Sequence, residues 1–320
     1  MKNKNGVMSV NAIIEKITEQ IQEGIYPGAS LALYRKGQWS EHYLGLADPE
    51  KGESVVADLV YDLASVSKVV GVATICAFLY AKGELELDRP FKEVYPRFAH
   101  EKTTIRELLT HISGLDPFIP NRDQLDASQL KTALENLQLK EDKSFHYTDV
   151  NFLLLGFWLE DRFRQPLDRL FEELIFTPWK MTETRFGPVE KAVPTVRGVA
   201  SGSVHDPKAR VLGCHAGSAG LFSTVPDLER FLEHYLKDNF ARDLSQNFAP
   251  EKGKTRALGW NLEGDWLDHT GYTGTFIMYN RKRQEAVIFL SNRTYEKDER
   301  AQWILDRNSL MDLIKQECEK

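Results

Sequence analysis

Ser65 and Lys68 stand three residues apart in the segment YDLASVSK, which covers positions 61–68. In a helix this spacing places both side chains on one face, about one turn apart. A serine hydroxyl is a weak nucleophile at neutral pH and needs a base within hydrogen-bonding distance. A lysine amine can be that base when burial or a nearby cation lowers its pKa. The pair therefore indicates nucleophilic catalysis, provided that Lys68 is buried.

The segment that follows Lys68 gives a reason for its burial. Positions 69–81, VVGVATICAFLYA, are apolar almost all round, and a helix of that kind belongs in a core. An ammonium group at the start of such a helix must be paired or neutralised. The S-x-x-K spacing by itself has little specificity, because Ser128 and Lys131 share it in a segment that predicts a polar surface helix. The assignment therefore depends on partner residues further along the chain.

Composition and charge restrict the class of protein. The chain has 320 residues, of which 42% are hydrophobic and 28% charged, as in one large globular domain or two closely packed ones. A net charge of −6 argues against nucleic acids and acidic membranes as main partners. Three widely spaced cysteines lack metal-ligand spacing and suit a reducing compartment. We expect a cytoplasmic enzyme without metal, cofactor, signal peptide or membrane span, whose oligomeric state the sequence leaves open.

Hydrophobic periodicity predicts the secondary structure. The predicted helices are 10–23, 69–81, 104–111, 128–137, 150–163, 167–176, 227–236 and 300–320. The predicted strands are 29–34, 39–45, 258–262, 269–279 and 286–291, and 195–224 is predicted to be a long loop region. Strands at both chain ends predict an antiparallel sheet formed by 10–60 and 240–320, flanked by helices. A mostly helical part, 61–239, is inserted, and the whole is one catalytic unit with an α/β (α+β) fold.

Two later motifs accompany Ser65 and Lys68. Tyr147, Thr148 and Asp149 precede an apolar helical segment, and HTGYTGT follows at 269–275. With SVSK, these motifs resemble the S-x-x-K, Tyr-x-Asn and Lys-Thr-Gly elements of the serine β-lactamase and penicillin-binding-protein family. The class C-like branch, which includes esterases and D-amino-acid peptidases, matches better. The resemblance runs from about position 14 to 293 and implies a β-lactamase/DD-peptidase-like fold, with the site between the sheet part and the helical part.

The resemblance also implies a reaction. Ser65 would attack an ester or amide carbonyl and form an acyl-enzyme, with Lys68 accepting the proton and Tyr147 as the partner of Lys68. Which of Lys68 and Tyr147 is the working base stays open, because the two groups titrate together. The backbone N–H groups of Ser65 and Tyr272 would form the oxyanion hole. Gly271 would leave room for the substrate to lie against the strand.

Two positions depart from the family motifs. His269 stands where β-lactamases usually have lysine, and histidine is mostly neutral above about pH 6.5. Asp149 stands where class C enzymes usually have asparagine; when ionised it cannot donate to a substrate amide, and it repels carboxylates. Both changes argue against an efficient β-lactamase. The expected substrate is therefore an ester, with D-alanyl carboxypeptidase or weak β-lactamase activity on a peptide or lactam amide as the alternative.

Two rival interpretations lead elsewhere. The segment AGSAG at 216–220 resembles the G-x-S-x-G elbow of α/β-hydrolases, which would make Ser218 the nucleophile. That elbow needs a strand before it and a helix after it, whereas the flanks here predict loops. The second rival is a non-catalytic penicillin-binding-like module that keeps the fold. The presence of Ser65, Lys68 and Tyr147 gives no sign of a dead site.

Overall fold

The computed structural model describes residues 10–249 and 254–319. Ten strands are present in these residues: β1 Gly28–Arg35, β2 Gln38–Asp48, β3 Glu53–Ser54, β4 Tyr61–Asp62, β5 Arg185–Phe186, β6 Leu221–Ser223, β7 Asn261–Glu263, β8 Trp266–Thr270, β9 Phe276–Asn280 and β10 Glu285–Ser291. Seven of them form an antiparallel sheet in the order β3-β2-β1-β10-β9-β8-β7. The first and last strands of the chain are thus neighbours at the centre of the sheet, which confirms the predicted fold class.

Ten α-helices occur in the described residues: α1 Val10–Gln22, α2 Thr74–Ala81, α3 Phe91–Val94, α4 Ile105–Leu109, α5 Ala127–Glu135, α6 Val150–Phe163, α7 Leu167–Phe171, α8 Pro207–Leu212, α9 Val225–Lys237 and α10 Arg300–Glu319. A 3₁₀ turn, Ala64–Val66, and a π-helical turn, Val69–Ala73, lead into α2. Helices α1 and α10 cover one face of the large sheet, and α9 packs on the other. Both sheet faces are buried, which explains the continuous apolar run of β1.

The β8–β9 hairpin differs from the prediction of one strand over 269–279. The chain reverses between Thr270 and Phe276, where the Gly271 N–H donates to the Thr275 carbonyl at 2.6 Å. Gly274 adopts a left-handed backbone with φ 107°, which side-chain-bearing residues avoid. Residues 270–275 carry no apolar alternation, and Gly271 and Gly274, interpreted as part of a strand, mark the turn instead. The strand predicted over 258–262 is likewise wrong in its start, because β7 begins at Asn261.

The region predicted as a long loop, 195–224, contains helix α8 and strand β6. Strand β6 is central in a second sheet, where it pairs with β4 and β5. The division into a sheet part and a helical part stays a prediction. Helix α9, placed in the helical part, packs on the large sheet: the Tyr235 ring lies 5.3 Å from the Tyr279 ring, and Arg281 Nη1 donates to the Tyr235 carbonyl at 2.6 Å.

The helical run Ala64–Ala81 has the length and apolar composition of a membrane-crossing helix. Within the protein, however, 78% of that run is buried. A core helix of a globular protein meets the same criteria of length and composition. The run therefore gives only weak evidence of membrane insertion, and its burial is what the apolar pattern after Lys68 predicts.

Candidate active site

Ser65 lies in the 3₁₀ turn between β4 and the buried helical run. The preceding residue, Ala64, has a left-handed backbone with φ 45°, a strained conformation for a residue with a side chain. The Leu63 carbonyl accepts a hydrogen bond from Thr275 Oγ1 at 3.1 Å. This bond ties the serine turn to the β8–β9 hairpin, so the position of Ser65 relative to that hairpin is fixed.

Lys68 is completely buried beneath Ser65, with no exposed surface. Its Nζ donates to Ser65 Oγ at 2.8 Å, to Asp149 Oδ1 at 2.7 Å and to the Ser218 carbonyl at 2.9 Å. An ammonium group has three donors, and all three are used. The structure thus joins Ser65, Lys68 and Asp149 in one hydrogen-bonded group.

The charge of Asp149 decides the protonation state of Lys68. Burial lowers the pKa of Lys68, but the Asp149 carboxylate outweighs this effect, and the pKa lies above its ordinary value. Burial raises the pKa of Asp149, but Lys68 and then Lys208 outweigh it and hold that pKa well below its usual range. Of the two possibilities that the sequence left open for a buried Lys68, pairing and neutralisation, the structure shows pairing with Asp149. In the resting site Lys68 is an ammonium group.

Tyr147 lies beside this group. Its ring centroid is 5.2 Å from Lys68 Nζ, 4.6 Å from the His111 ring and 6.1 Å from the His269 ring. Its hydroxyl is buried and has no hydrogen-bond partner among the described residues. Buried phenol hydroxyls normally have partners. The unsatisfied hydroxyl therefore marks a place where a substrate atom or a water molecule would bind.

His111 supports Tyr147, a role that the sequence reading missed. It is fully buried, has a left-handed backbone with φ 59°, and its ring stacks on Phe152. Its Nδ1 accepts from the Thr148 N–H at 3.4 Å and from Asn151 Nδ2 at 3.2 Å. Burial, with nearby cations, lowers its pKa well below the usual value, so the imidazole is neutral. A positive φ at a buried histidine leaves no periodic signal in a sequence.

His269 and Gly271 belong to the end of β8 and the turn after it. His269 is buried, and burial followed by the charges of Lys68 and Arg256 lowers its pKa well below the usual value. It therefore carries no positive charge. A Cβ at Gly271 would meet Thr275 Oγ1 and, at 2.6 Å, the Leu63 carbonyl. The space at this glycine is thus filled by the serine turn, which differs from the expectation that a substrate fills it.

Tyr272 lies in the turn after Gly271, and its backbone N–H has no acceptor among the described residues. Arg293, another residue not predicted from sequence, fixes it: Nε donates to the Tyr272 carbonyl at 2.8 Å, and the guanidinium lies 4.6 Å from the ring centroid. Asp298 accepts hydrogen bonds from both Arg293 and the Tyr272 hydroxyl. This clamp, in which Arg293 is buried and Asp298 is exposed, holds Tyr272, whose N–H is the second predicted oxyanion donor.

Two adjoining cavities open at Ser65. The larger, of about 500 Å³, is also lined by Asp149 and Lys208. The smaller, of about 220 Å³, is also lined by His269 and Gly271. The side chains or backbones that line both are those of Ser65, Tyr147, Tyr272 and Arg300. With Lys68 beneath Ser65, all seven residues predicted for the site lie together.

The smaller cavity is positively charged. Lys254, Arg293, Arg300 and Arg307 line it, and none of its described lining residues is acidic. Among residues 10–249 and 254–319, Lys254, Arg300 and Arg307 form no ion pair. Burial lowers the pKa of Lys254 and of Arg307. Asp268 lies close enough to act on Lys254 and Arg307, but cations without a direct ion-pair partner in a partly buried cavity favour an anionic ligand.

Ser218 is not placed to act as a nucleophile. It is fully buried, and its carbonyl is held by Lys68. A 3₁₀ turn, Gly213–His215, comes before it and strand β6 after it, whereas an elbow requires a strand and then a helix. The structure therefore contradicts the elbow interpretation. Among residues 10–249 and 254–319, no group of three or more His, Cys, Asp or Glu side chains could hold a metal ion, and the lack of a cofactor stays a prediction.

A serine bonded to a buried lysine, with a tyrosine beside them in a cleft between sheet and helices, is the arrangement of a serine hydrolase. The family model described as Beta-lactamase matches residues 13–310. The chain belongs to the beta-lactamase family, and it is a serine hydrolase of that family. The family assignment and the enzyme class predicted from the three motifs are thereby confirmed.

Relatives and solved structures agree with this family. A protein of Escherichia coli named "Putative D-alanyl-D-alanine carboxypeptidase" is 28% identical, over 90% of this chain and 83% of its own length. The beta-lactamase/D-alanine carboxypeptidase from Pseudomonas syringae has a TM-score of 0.73 at 18% identity, over 93% of this chain and 98% of that one. EstCE1, described as a hydrolase with promiscuous acyltransferase activity, has a TM-score of 0.73 at 19% identity, over 95% and 97%. At these identities the two structures show the shared fold.

Proposed function

We propose that the protein hydrolyses an ester through an acyl-enzyme formed on Ser65. The observation that carries this proposal is the 2.8 Å contact between Ser65 Oγ and the buried Lys68 Nζ at the junction of two cavities. Ser65 Oγ bonds to the carbonyl carbon, and the alcohol leaves with a proton. Water then attacks the acyl group, the acid is released, and the serine regains its proton.

The proton on Lys68 determines how the first step depends on pH. An ammonium group cannot accept the serine proton, so only the fraction of enzyme with neutral Lys68 can react by this route. Because Asp149 raises the pKa of Lys68, that fraction is small at neutral pH and grows tenfold with each pH unit. We therefore expect the kcat/KM for ester hydrolysis to rise steadily with pH between about 6 and 9.

The oxyanion hole would consist of the Ser65 and Tyr272 N–H groups. The unbonded Tyr272 N–H and the Arg293 clamp behind it support this role. Backbone donors fixed in advance stabilise the charge that develops on the carbonyl oxygen without reorganising during the reaction. The neutral state of His269 supports an ester rather than a lactam, since the motif position offers no cation.

A second candidate is hydrolysis of a peptide that ends in a free carboxylate, such as a D-alanyl-D-alanine terminus. The uncompensated cations of the smaller cavity favour it, because Lys254, Arg300 and Arg307 could bind a carboxylate next to the bond that is cleaved. The name of the Escherichia coli relative agrees with this candidate. Weak β-lactamase activity would use the same carboxylate contact.

The decisive experiment compares the wild type with Ser65→Ala on p-nitrophenyl butyrate, on a peptide ending in D-Ala-D-Ala and on penicillin. Circular dichroism must show that both proteins are folded. Ser218→Ala is the matched control, because it removes a hydroxyl close to Lys68 that the proposal does not use. Ester hydrolysis lost only in Ser65→Ala supports the proposal, and a mass increase of one butyryl group on the wild type would show the intermediate directly.

Other outcomes select other functions. Release of D-alanine without ester hydrolysis would select the peptidase. Activity that survives in Ser65→Ala would refute the assignment of the nucleophile. A folded wild type that forms no acyl adduct with any of the three compounds would favour a non-catalytic penicillin-binding-like module. A cytoplasmic location also remains a prediction, which fractionation of the native cells would test.

A further inference from the structure

Lys208 lies next to the Ser65–Lys68–Asp149 group, although no motif includes it. Its Nζ is 3.1 Å from Asp149 Oδ2, while Lys68 Nζ is 2.7 Å from Oδ1 of the same carboxylate. Asp149 therefore bridges two ammonium groups, one on each oxygen. The Lys208 side chain is 13% exposed and lines the larger cavity, whereas Lys68 is sealed beneath the serine.

The local fold holds Lys208 in this place. Helix α8 begins at Pro207, and Asp206 caps it by accepting the Ala209 N–H at 2.8 Å. The His205 N–H donates to Asp62 Oδ2 at 2.7 Å, which ties the start of α8 to strand β4 just before the serine turn. The position of Lys208 is thus built from the same strand that positions Ser65, and the contact with Asp149 is not a chance meeting of two surface side chains.

The three charges act on one another. Asp149 alone would stabilise the ammonium form of Lys68 strongly, because a single carboxylate faces a single buried cation. Lys208 shares that carboxylate and also repels Lys68 as a like charge. Both effects make it easier for Lys68 to lose its proton. They also hold the Asp149 carboxylate by its second oxygen, so that the first oxygen stays directed at Lys68.

We propose that Lys208 is a positioning residue of the acyl-transfer site, which holds Asp149 and brings deprotonation of Lys68 closer to the working pH. The proposal rests on the function proposed above, in which neutral Lys68 accepts the Ser65 proton. It also changes the expectation that Asp149 repels carboxylates. With an ammonium group on each oxygen, the Asp149 charge is compensated, and the cavity beside it is open to an anionic substrate.

The size of the effect follows from the distance between the two lysines. One carboxylate separates them, so their nitrogens are roughly 8 Å apart or less, and at an effective dielectric constant of 20 the repulsion corresponds to about 1.5 pKa units or more. Other charged or titratable groups face Lys68: Asp149, Tyr147, His111 and His269. Those that line the cavity with Lys208 are Asp149, Asp206, Arg122, His205, Asp298 and Arg300.

The test measures kcat/KM for p-nitrophenyl butyrate from pH 6 to 9 in the wild type and in Lys208→Met. We expect kcat/KM of the variant to rise with pH in parallel with the wild type but to be about 30-fold lower, because the pKa of Lys68 is about 1.5 units higher. Lys208→Arg keeps the charge and should stay near the wild type. Arg210→Met removes an exposed cation from the same helix without touching Asp149, and it should leave kcat/KM unchanged. Thermal unfolding must show that all four proteins are folded.

Three results would overturn the proposal. The first is a kcat/KM profile of Lys208→Met that coincides with that of the wild type, and the second is an equal loss of kcat/KM in Arg210→Met. The third is a loss of kcat/KM accompanied by a lower Tm, neither of which Lys208→Arg restores. A second measurement needs no substrate. In an Asp149→Asn background, the NMR titration of ¹³C-labelled Lys68, assigned with Lys68→Met, should give a pKa about 1.5 units higher when Lys208 is replaced by Gln. An unchanged titration refutes the role of Lys208 even if the ester is not hydrolysed, whereas an inactive wild type with the shifted titration refutes only the proposed function.

Discussion

Asp149→Asn removes the carboxylate that contacts Lys68 among the described residues and places at position 149 the residue usual in the family motif. The change is nearly isosteric, so the new amide side chain can keep an oxygen toward Lys68 Nζ, now as a neutral acceptor. The Lys68 contact of 2.7 Å and the Lys208 contact of 3.1 Å both lose their ionic character. The perturbation is therefore electrostatic, and its main effect falls on the proton of Lys68.

The magnitude follows from the geometry. Two unit charges about 4 Å apart attract each other by about 4 kcal/mol at an effective dielectric constant of 20, which corresponds to about three pKa units. Burial already acts to lower the pKa of Lys68, and without Asp149 it is no longer opposed by an adjacent carboxylate. We therefore expect the pKa of Lys68 to fall by about three units, to below the ordinary lysine value.

The assay is the pH dependence of kcat/KM for p-nitrophenyl butyrate. The wild type should rise without a plateau up to pH 9, whereas Asp149→Asn should level off below that pH. At pH 7 the variant should be at least about tenfold faster, although a less basic amine is a weaker proton acceptor and removes part of the gain. Asp206→Asn is the control, because asparagine also caps a helix and Asp206 contacts Lys208 but not Lys68. Its profile should change far less.

Two outcomes would refute this reasoning. An Asp149→Asn profile that keeps rising like the wild type would mean that Lys68 is not the group whose deprotonation limits the reaction. Tyr147, whose buried hydroxyl has no partner among the described residues, would then be the better candidate for the base. A loss of activity at every pH in a folded variant would mean that the Asp149 charge is needed during the reaction.

Three further predictions concern the parts around this group. Arg293→Ala should lower kcat about tenfold or more with little change in KM, measured with the ester, because the Tyr272 N–H is no longer held. Gly271→Ala should lower the free energy of unfolding by about 1–3 kcal/mol in urea denaturation, since its Cβ would collide with the Leu63 carbonyl. Burial, with the charges of neighbouring glutamates, raises the pKa of Glu229 to about 8. Between pH 5 and 8 the folded protein therefore keeps a proton that the unfolded chain releases, and the free energy of unfolding falls as pH rises. Glu229→Gln should remove that fall. The difference in free energy of unfolding between the variant and the wild type should therefore shift in favour of the variant by about 1–2 kcal/mol from pH 5 to pH 9, after allowance for the partial exposure of Glu229. Equal slopes of the free energy of unfolding against pH in the two proteins would contradict the assignment.

The fold could be predicted where buried apolar residues recur in the sequence at the spacing of a helix or a strand. The amphipathic stripe of α1, the apolar run of β1 and the all-round apolar α6 each gave the correct element within a few residues. The β8–β9 turn was not predicted, although it contains Gly271 and Gly274, because the whole segment from 269 to 279 was interpreted as one strand. Helix α8 was not predicted because six residues are too few for a helical period to appear. It is stabilised by the Asp206 cap and by the contact between His205 and Asp62 of β4.

The site was predictable where function depends on short sequence spacing. Ser65 and Lys68 share a turn, so their contact follows from local geometry, and the motif order gave Tyr147 and the 269–272 segment. Lys208 and Arg293 were missed because each acts across the fold. Lys208 lies 59 residues after Asp149, which it contacts, and Arg293 lies in the turn after β10, 21 residues after Tyr272. Nothing in their own neighbourhood distinguishes them from surface cations. The charge state of Lys68 stayed open for the same reason, since its pKa depends on a carboxylate 81 positions away.

The two motif departures become intelligible when the charges of the whole site are considered. Compared with the family motifs, Asp149 adds a negative charge and His269 removes a positive one, which leaves two positive charges to be supplied from elsewhere. Lys208 supplies one at Asp149 Oδ2. Arg256 supplies another: it is buried, its guanidinium is held by the Gly259 carbonyl at 3.0 Å and by Asn261, and its charge lowers the pKa values of His111 and His269. Both cations lie outside the motifs, so the motif positions alone suggest a weakened site. In the structure, Lys208 and Arg256 restore the charge of that site.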